Sequence, residues 1–155
     1  MRPLVIVVTF LLMMSACEIL PSQFPGDNPS ESVKTTDDLR ISLDITASDI
    51  DELHDIRADF GLENITDDTL SYTFRSGCQS EFTISRNGTE IADSRDGRGC
   101  TAAITHLVLA PGESKTYDIS TESMRNRGLE AGSYQMTAFL LGDKGVEIST
   151  TFSVQ

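Results

Sequence analysis

From Leu39 onward the chain alternates apolar and polar residues with a period of two. Leu39, Ile41, Leu43 and Ile45 are separated by Arg40, Ser42 and Asp44, the pattern of a strand with one face in a core and the other in water. Ile56, Ala58, Phe60 and Leu62 repeat it, as do Leu70, Tyr72 and Phe74 beyond the turn-forming run Asn64-Ile65-Thr66-Asp67-Asp68. Between the first two sets, Ser48 with Asp51 predicts a short capped helical turn reaching Asp55. Phe82–Arg86 and Thr89–Ala92 flank Asn87-Gly88, which suits a two-residue hairpin turn because both of its positions take positive φ. In that register Ile84 faces Ile91. A strand over about 103–109, the turn Ala110-Pro111-Gly112-Glu113, and Tyr117 with Ile119 come next. The last two sets, Tyr134-Met136-Ala138-Leu140 and Val146-Ile148-Thr150-Phe152-Val154, bracket Gly142-Asp143-Lys144-Gly145 as a hairpin.

About eight strands at short, even spacing and no long helix predict an all-β antiparallel sandwich. Leu129-Glu130-Ala131-Gly132-Ser133-Tyr134 resembles a tyrosine corner, in which the hydroxyl bonds main chain a few residues upstream, and this points to the immunoglobulin-like version. Met136 stands where true immunoglobulin domains place a core cysteine.

The first residues follow a different rule. Met1-Arg2 precedes the apolar run Leu4–Met14, then Ser15, Ala16 and Cys17. The run is short for a bilayer, which takes roughly 20 apolar residues, and has the form of a secretory leader over residues 1–16. Met14-Ser15-Ala16-Cys17 resembles the lipobox of bacterial lipoproteins, with Met14 in place of the usual leucine. That resemblance implies lipid attachment at Cys17 and a membrane-anchored cell-envelope protein. The anchor would sit on the periplasmic face of either membrane or at the cell surface; an ordinary cleaved leader with an incidental cysteine is the alternative. Residues 17–37 carry Pro21, Pro25 and Pro29 without periodicity and read as the lipidated N-terminus and a flexible linker, with a coil reach of about 25 Å. Residues 38–155 form the domain.

Charge narrows the partners. With 24 acids against 12 bases the net charge is −12 over 155 residues, so no basic stripe exists to displace counterions and nucleic acid is excluded. Catalytic groups are sparse. Asp49, Asp51, Glu52, His54 and Asp55 crowd together but lack the glycine and distant glutamate of a calcium loop, so they read as a solvated turn. His106 falls on the outward parity of a strand. No nucleophile elbow, phosphate loop or dinucleotide fingerprint is present, and no metal, cofactor or enzymatic activity is expected. Asn64-Ile65-Thr66 and Asn87-Gly88-Thr89 match the glycosylation pattern but read as turns, and Arg125 and Arg127 belong to a polar connection.

Export would leave Cys78 and Cys100 outside the reducing cytosol as an even pair, which favours a disulfide over two free thiols. Such a bridge braces Ser94-Arg95-Asp96-Gly97-Arg98-Gly99. Arg95, Asp96 and Arg98 are therefore the candidate interaction loop, with a plain stability staple as the simpler reading.

Residues 39–155 resemble the BsuPI family, the intracellular proteinase inhibitor domain. The resemblance is carried by Phe60-Gly61-Leu62-Glu63-Asn64, Phe74-Arg75-Ser76-Gly77-Cys78-Gln79, Glu81-Phe82-Thr83-Ile84, Leu109-Ala110-Pro111-Gly112-Glu113, Tyr117, Leu129 and Gly132-Ser133-Tyr134. The family's tryptophan after the central hairpin is replaced here by Glu90-Ile91-Ala92-Asp93-Ser94. An immunoglobulin-like fold and proteinase inhibition are what the resemblance implies. The expectation is an exported, membrane-anchored lipoprotein with a protein-binding domain whose partner is a protein, most specifically a protease. An envelope assembly lipoprotein without inhibitory activity is the alternative.

Overall fold

The alternating segments become strands because a pleated backbone sends successive side chains to opposite faces, and only one face of each can be buried. The computed structural model describes residues 30–47, 50–96, 98–125 and 127–155. The expected leader, Cys17, the linker up to residue 29, Ser48 and Asp49 lie outside them. The described strands are β1 (Glu31–Thr35), β2 (Leu39–Ile45), β3 (Arg57–Asn64), β4 (Leu70–Phe74) and β5 (Ser80–Arg86), followed by β6 (Thr89–Asp93), β7 (Thr105–Leu109), β8 (Ser114–Ser120), β9 (Gly132–Leu140) and β10 (Val146–Val154).

The first sheet runs β1-β2-β3-β8 and the second β10-β9-β5-β6, with β4-β7 as a separate ribbon. Every pairing is antiparallel. Phe60, Leu62, Ile41 and Leu43 of the first sheet meet Ile84, Met136, Ala138 and Leu140 of the second in one buried core. The order of the second sheet corresponds to the GFCC′ sheet of variable-type immunoglobulin domains, and β2-β3-β8 to strands A, B and E. Tyr134 completes the likeness. Its hydroxyl donates to the Glu130 carbonyl at 2.8 Å, as the corner motif requires, while its ring stacks on Phe152 with centroids 5.5 Å apart.

Several details differ from the sequence reading. The described residues form ten strands, among them β1, since Glu31–Thr35, expected as linker, is a strand. This edge strand pairs antiparallel with β2, and Val33 remains 55% exposed, so no apolar alternation announces it. The helical turn is a 3-10 turn over Leu53–Asp55, started where the Asp55 carboxylate accepts the Glu52 N–H at 2.9 Å. In the β5-β6 hairpin, Asn87 and Gly88 take φ of 51° and 77° as expected. A bulge beside Ser85 then shifts the ladder, so Ile84 faces Ala92, not Ile91; the extra residue of a bulge has no partner opposite it. Strand β7 begins only at Thr105.

Asn64 is more than a turn residue. Fully buried, it donates to the carbonyls of Asp68 and Leu109 at 2.7 and 3.0 Å and accepts from the Thr66 N–H at 2.9 Å. It thereby ties the end of β3 to the end of β7, and every polar atom taken from water is repaid. On the outer face of the first sheet, Glu31, Asp44, Asp59 and Asp118 form one cross-strand row. No helix among the described residues is long and apolar enough to cross a membrane.

Candidate interaction surface

The connection from β6 to β7, residues 94–104, is fixed at both ends. At its start buried Ser94 donates its N–H to the Phe82 carbonyl and accepts the Phe82 N–H on its hydroxyl, both at 2.9 Å. At its far end Cys100 is bridged to buried Cys78, with Cα atoms 5.4 Å apart. The Gly77 N–H donates to the Thr101 carbonyl at 2.9 Å, and the Thr105 hydroxyl donates to the Ser76 carbonyl at 2.9 Å. Gln79 extends this seam: its amide donates to the Thr105 hydroxyl, and its Oε1 accepts the Tyr117 hydroxyl at 2.9 Å. Burial pushes the Tyr117 hydroxyl up to about 12, because the phenolate would lose its water.

Within the loop the predicted residues separate. Arg95 folds back onto Asp93, whose carboxylate accepts its main-chain N–H at 2.8 Å and its guanidinium. The Glu81 carboxylate lies 3.9 Å from the Arg95 Nε. The Arg95 guanidinium holds the buried Asp93 carboxyl below its usual range, and the same pair raises Arg95. This arginine shapes the loop. Asp96 closes the tight turn by donating its N–H to the Asp93 carbonyl at 2.9 Å. Arg98 is exposed; its guanidinium donates at a long 3.4 Å to the Ser80 carbonyl, and its main-chain N–H to the Arg95 carbonyl at 3.4 Å.

Sequence reasoning missed Ile104, which is 72% exposed beside the bridged segment. The sequence pattern assigns it to the following strand, and the one signal against that is that Ala102, Ala103 and Ile104 break the alternation. A second surface is the outer edge of β8. The Asn64 N–H donates to the Glu113 carbonyl and the Thr121 N–H to the Ile56 carbonyl. By the alternation of an antiparallel ladder, Ser114, Thr116, Asp118 and Ser120 then turn their main-chain groups away from β3.

The acidic turn does assemble in space: Glu52, His54 and Asp55 offer ligand atoms within 4.8 Å of one another. The two imidazole nitrogens each lie 3.4 Å from a carboxylate of that turn, so the three side chains contact one another, and Asp51 beside them is exposed. His106 is exposed on β7, its Nδ1 3.2 Å from the Thr73 hydroxyl.

These features define a class: a β-sandwich scaffold that presents a stapled loop and an open strand edge, with its polar groups engaged in holding that shape. The family model described as BsuPI, intracellular proteinase inhibitor, matches residues 41–145, and the chain belongs to that family. No curated protein matches the sequence. Among solved structures, a β-glucosidase from Erythrobacter marinus aligns at 16% identity and a TM-score of 0.38, covering 82% of this chain and 16% of that one. A β-glucosidase from Listeria innocua aligns at 13% identity and a TM-score of 0.35, covering 81% and 16%. One from Kluyveromyces marxianus aligns at 15% and 0.33, covering 82% and 14%. This chain spans at most 16% of those enzymes, and likeness at that level transfers no activity.

Proposed function

We propose that this chain is a proteinase inhibitor carried on lipid at Cys17 in a bacterial cell envelope, and that residues 94–104 are its contact segment. The observation that carries the reading is the loop held at both ends while Arg98 and Ile104 stay exposed between and beside the ties. A segment ordered before binding loses less entropy when a protease cleft closes on it. Family membership supplies the activity class, and the leader pattern with Cys17 supplies the anchor. Arg95 and Asp96 serve as the internal frame of the loop, and Arg98 and Ile104 make the contact.

The test is a progress-curve titration of the oxidised full chain against subtilisin-like and trypsin-like proteases. Stoichiometric inhibition, weakened by Arg98→Ala or Ile104→Ser and by Cys78→Ser with Cys100→Ser, is the expected result. A folded chain that leaves the whole panel untouched would refute it. Metabolic labelling with a fatty acid, lost in Cys17→Ser, tests the anchor separately.

The open outer edge of β8 favours a second reading, an envelope assembly module that adds a partner strand there. Stable co-purification of an envelope protein, abolished by proline at Thr116, would support it.

A further inference from the structure

A cavity borders the outer face of the second sheet. One cross-strand row places Phe139 between Glu147 on β10 and Glu81 on β5. The cavity, of about 850 Å³, lies over this row; Phe139 and Leu141 give it an apolar floor, and Val146, which packs on the core, lies at its rim. Leu141 is 39% exposed, and Phe139 and Val146 are half-buried. Glu81, Glu90 and Glu147 stand around the floor.

Two cations also border the cavity, and both are engaged. Arg95 is bound to Asp93 and lies 3.9 Å from Glu81, and the Lys34 ammonium donates to the Glu147 carbonyl at 3.3 Å. Four carboxylates against two cations leave the groove negative. Neighbouring strands lie about 4.8 Å apart, so Glu147 and Glu81 are roughly 10 Å from one another across Phe139.

We propose that this groove docks a cationic amphipathic segment of a partner protein. An apolar side chain of that segment sits on Phe139 and Leu141, and lysine or arginine groups on either side of it meet Glu147 and Glu81. The chemistry excludes the other occupants. An anionic lipid surface or a nucleic acid meets carboxylates. A purely apolar ligand would strip water from the glutamates and return nothing. A second copy joined about a two-fold axis would set these glutamates against their own kind. The proposal rests on the reading of the chain as a protein-binding module; it does not require inhibition or the Arg98 and Ile104 contacts, which lie outside the groove.

The experiment uses the full chain and a fluorescein-labelled peptide of about nine residues alternating lysine and leucine, followed by anisotropy. A glutamate-leucine peptide is the control. Because a chain of net charge −12 attracts any cation, the decisive comparison is between faces. Glu147→Lys and Phe139→Ser should each weaken binding by about tenfold, whereas Asp59→Lys, the same change of charge on the opposite sheet, should alter it by less than about twofold. Equal weakening by Asp59→Lys, no binding of the lysine-leucine peptide, or a concentration-dependent dimer abolished by Phe139→Ser would overturn the proposal. Inhibition without peptide binding removes only the groove. Peptide binding without inhibition removes only the inhibitory reading.

Discussion

Neutralising Asp59 should stabilise this fold. In the row Glu31–Asp44–Asp59–Asp118, Asp59 faces Asp44 on β2 and Asp118 on β8. Nearby cations are committed elsewhere, Arg40 to Glu63 and Arg57 to Glu122. One oxygen of Asp44 is buried with no hydrogen-bond partner, which marks how little the row is compensated. Directly opposed side chains stand about 5.5 Å apart, so each neighbour costs about 0.75 kcal/mol in bulk water. A Debye length of about 8 Å at physiological ionic strength roughly halves that. With two neighbours, Asp59→Asn should gain about 0.8 kcal/mol. The gain should rise to about 1.2 kcal/mol at 10 mM salt and shrink to about 0.25 kcal/mol at 1 M. Urea unfolding of the full chain at those three ionic strengths, read as a midpoint shift at constant slope, measures it. Asp37→Asn removes the same charge from an exposed turn outside the row. Equal gains from the two variants, or a gain indifferent to salt, would refute the row as the cause.

Three further outcomes follow from the same structure. Replacing Cys78 and Cys100 together by serine reopens a loop with a sequence separation of 22 and should lower stability by about 3 kcal/mol in urea unfolding. Tyr134→Phe removes the hydroxyl bond to Glu130 but keeps the stacking on Phe152, and should cost about 1 kcal/mol, read as a lower thermal midpoint. The Tyr117 hydroxyl is raised to about 12 in the folded chain against an unfolded value of about 10. Its contribution is therefore complete below about pH 10 and lost as pH rises towards 12. Tyr117→Phe should flatten that part of an alkaline stability curve, and an unchanged curve would show that the group does not carry it.

Much of the sandwich is legible in the sequence. Leu39 to Ile45, Tyr134 to Leu140 and Val146 to Val154 announce themselves because each needs one apolar face, and a face is a property of residues two apart. The Asn87-Gly88 turn and the Tyr134 corner were legible for a similar reason: turn and corner use neighbours along the chain. The stapled loop was half legible. Two cysteines proposed the bridge, but Arg95 looked as free as Arg98.

What the chain alone determined was therefore local: the strand periodicity, the turns, the apolar run before Cys17, and the net charge of −12. Tertiary structure decided the rest. It paired β1 with β2 through main-chain groups that leave no mark in side-chain pattern, and a bulge moved Ile84 opposite Ala92. Folding carried the Arg95 guanidinium back to a buried Asp93, left Ile104 in solvent, and lined up four carboxylates from four different strands. Each of these depends on which segments lie beside one another, and that choice is made by the burial of one shared core, not by the order of residues within any one segment.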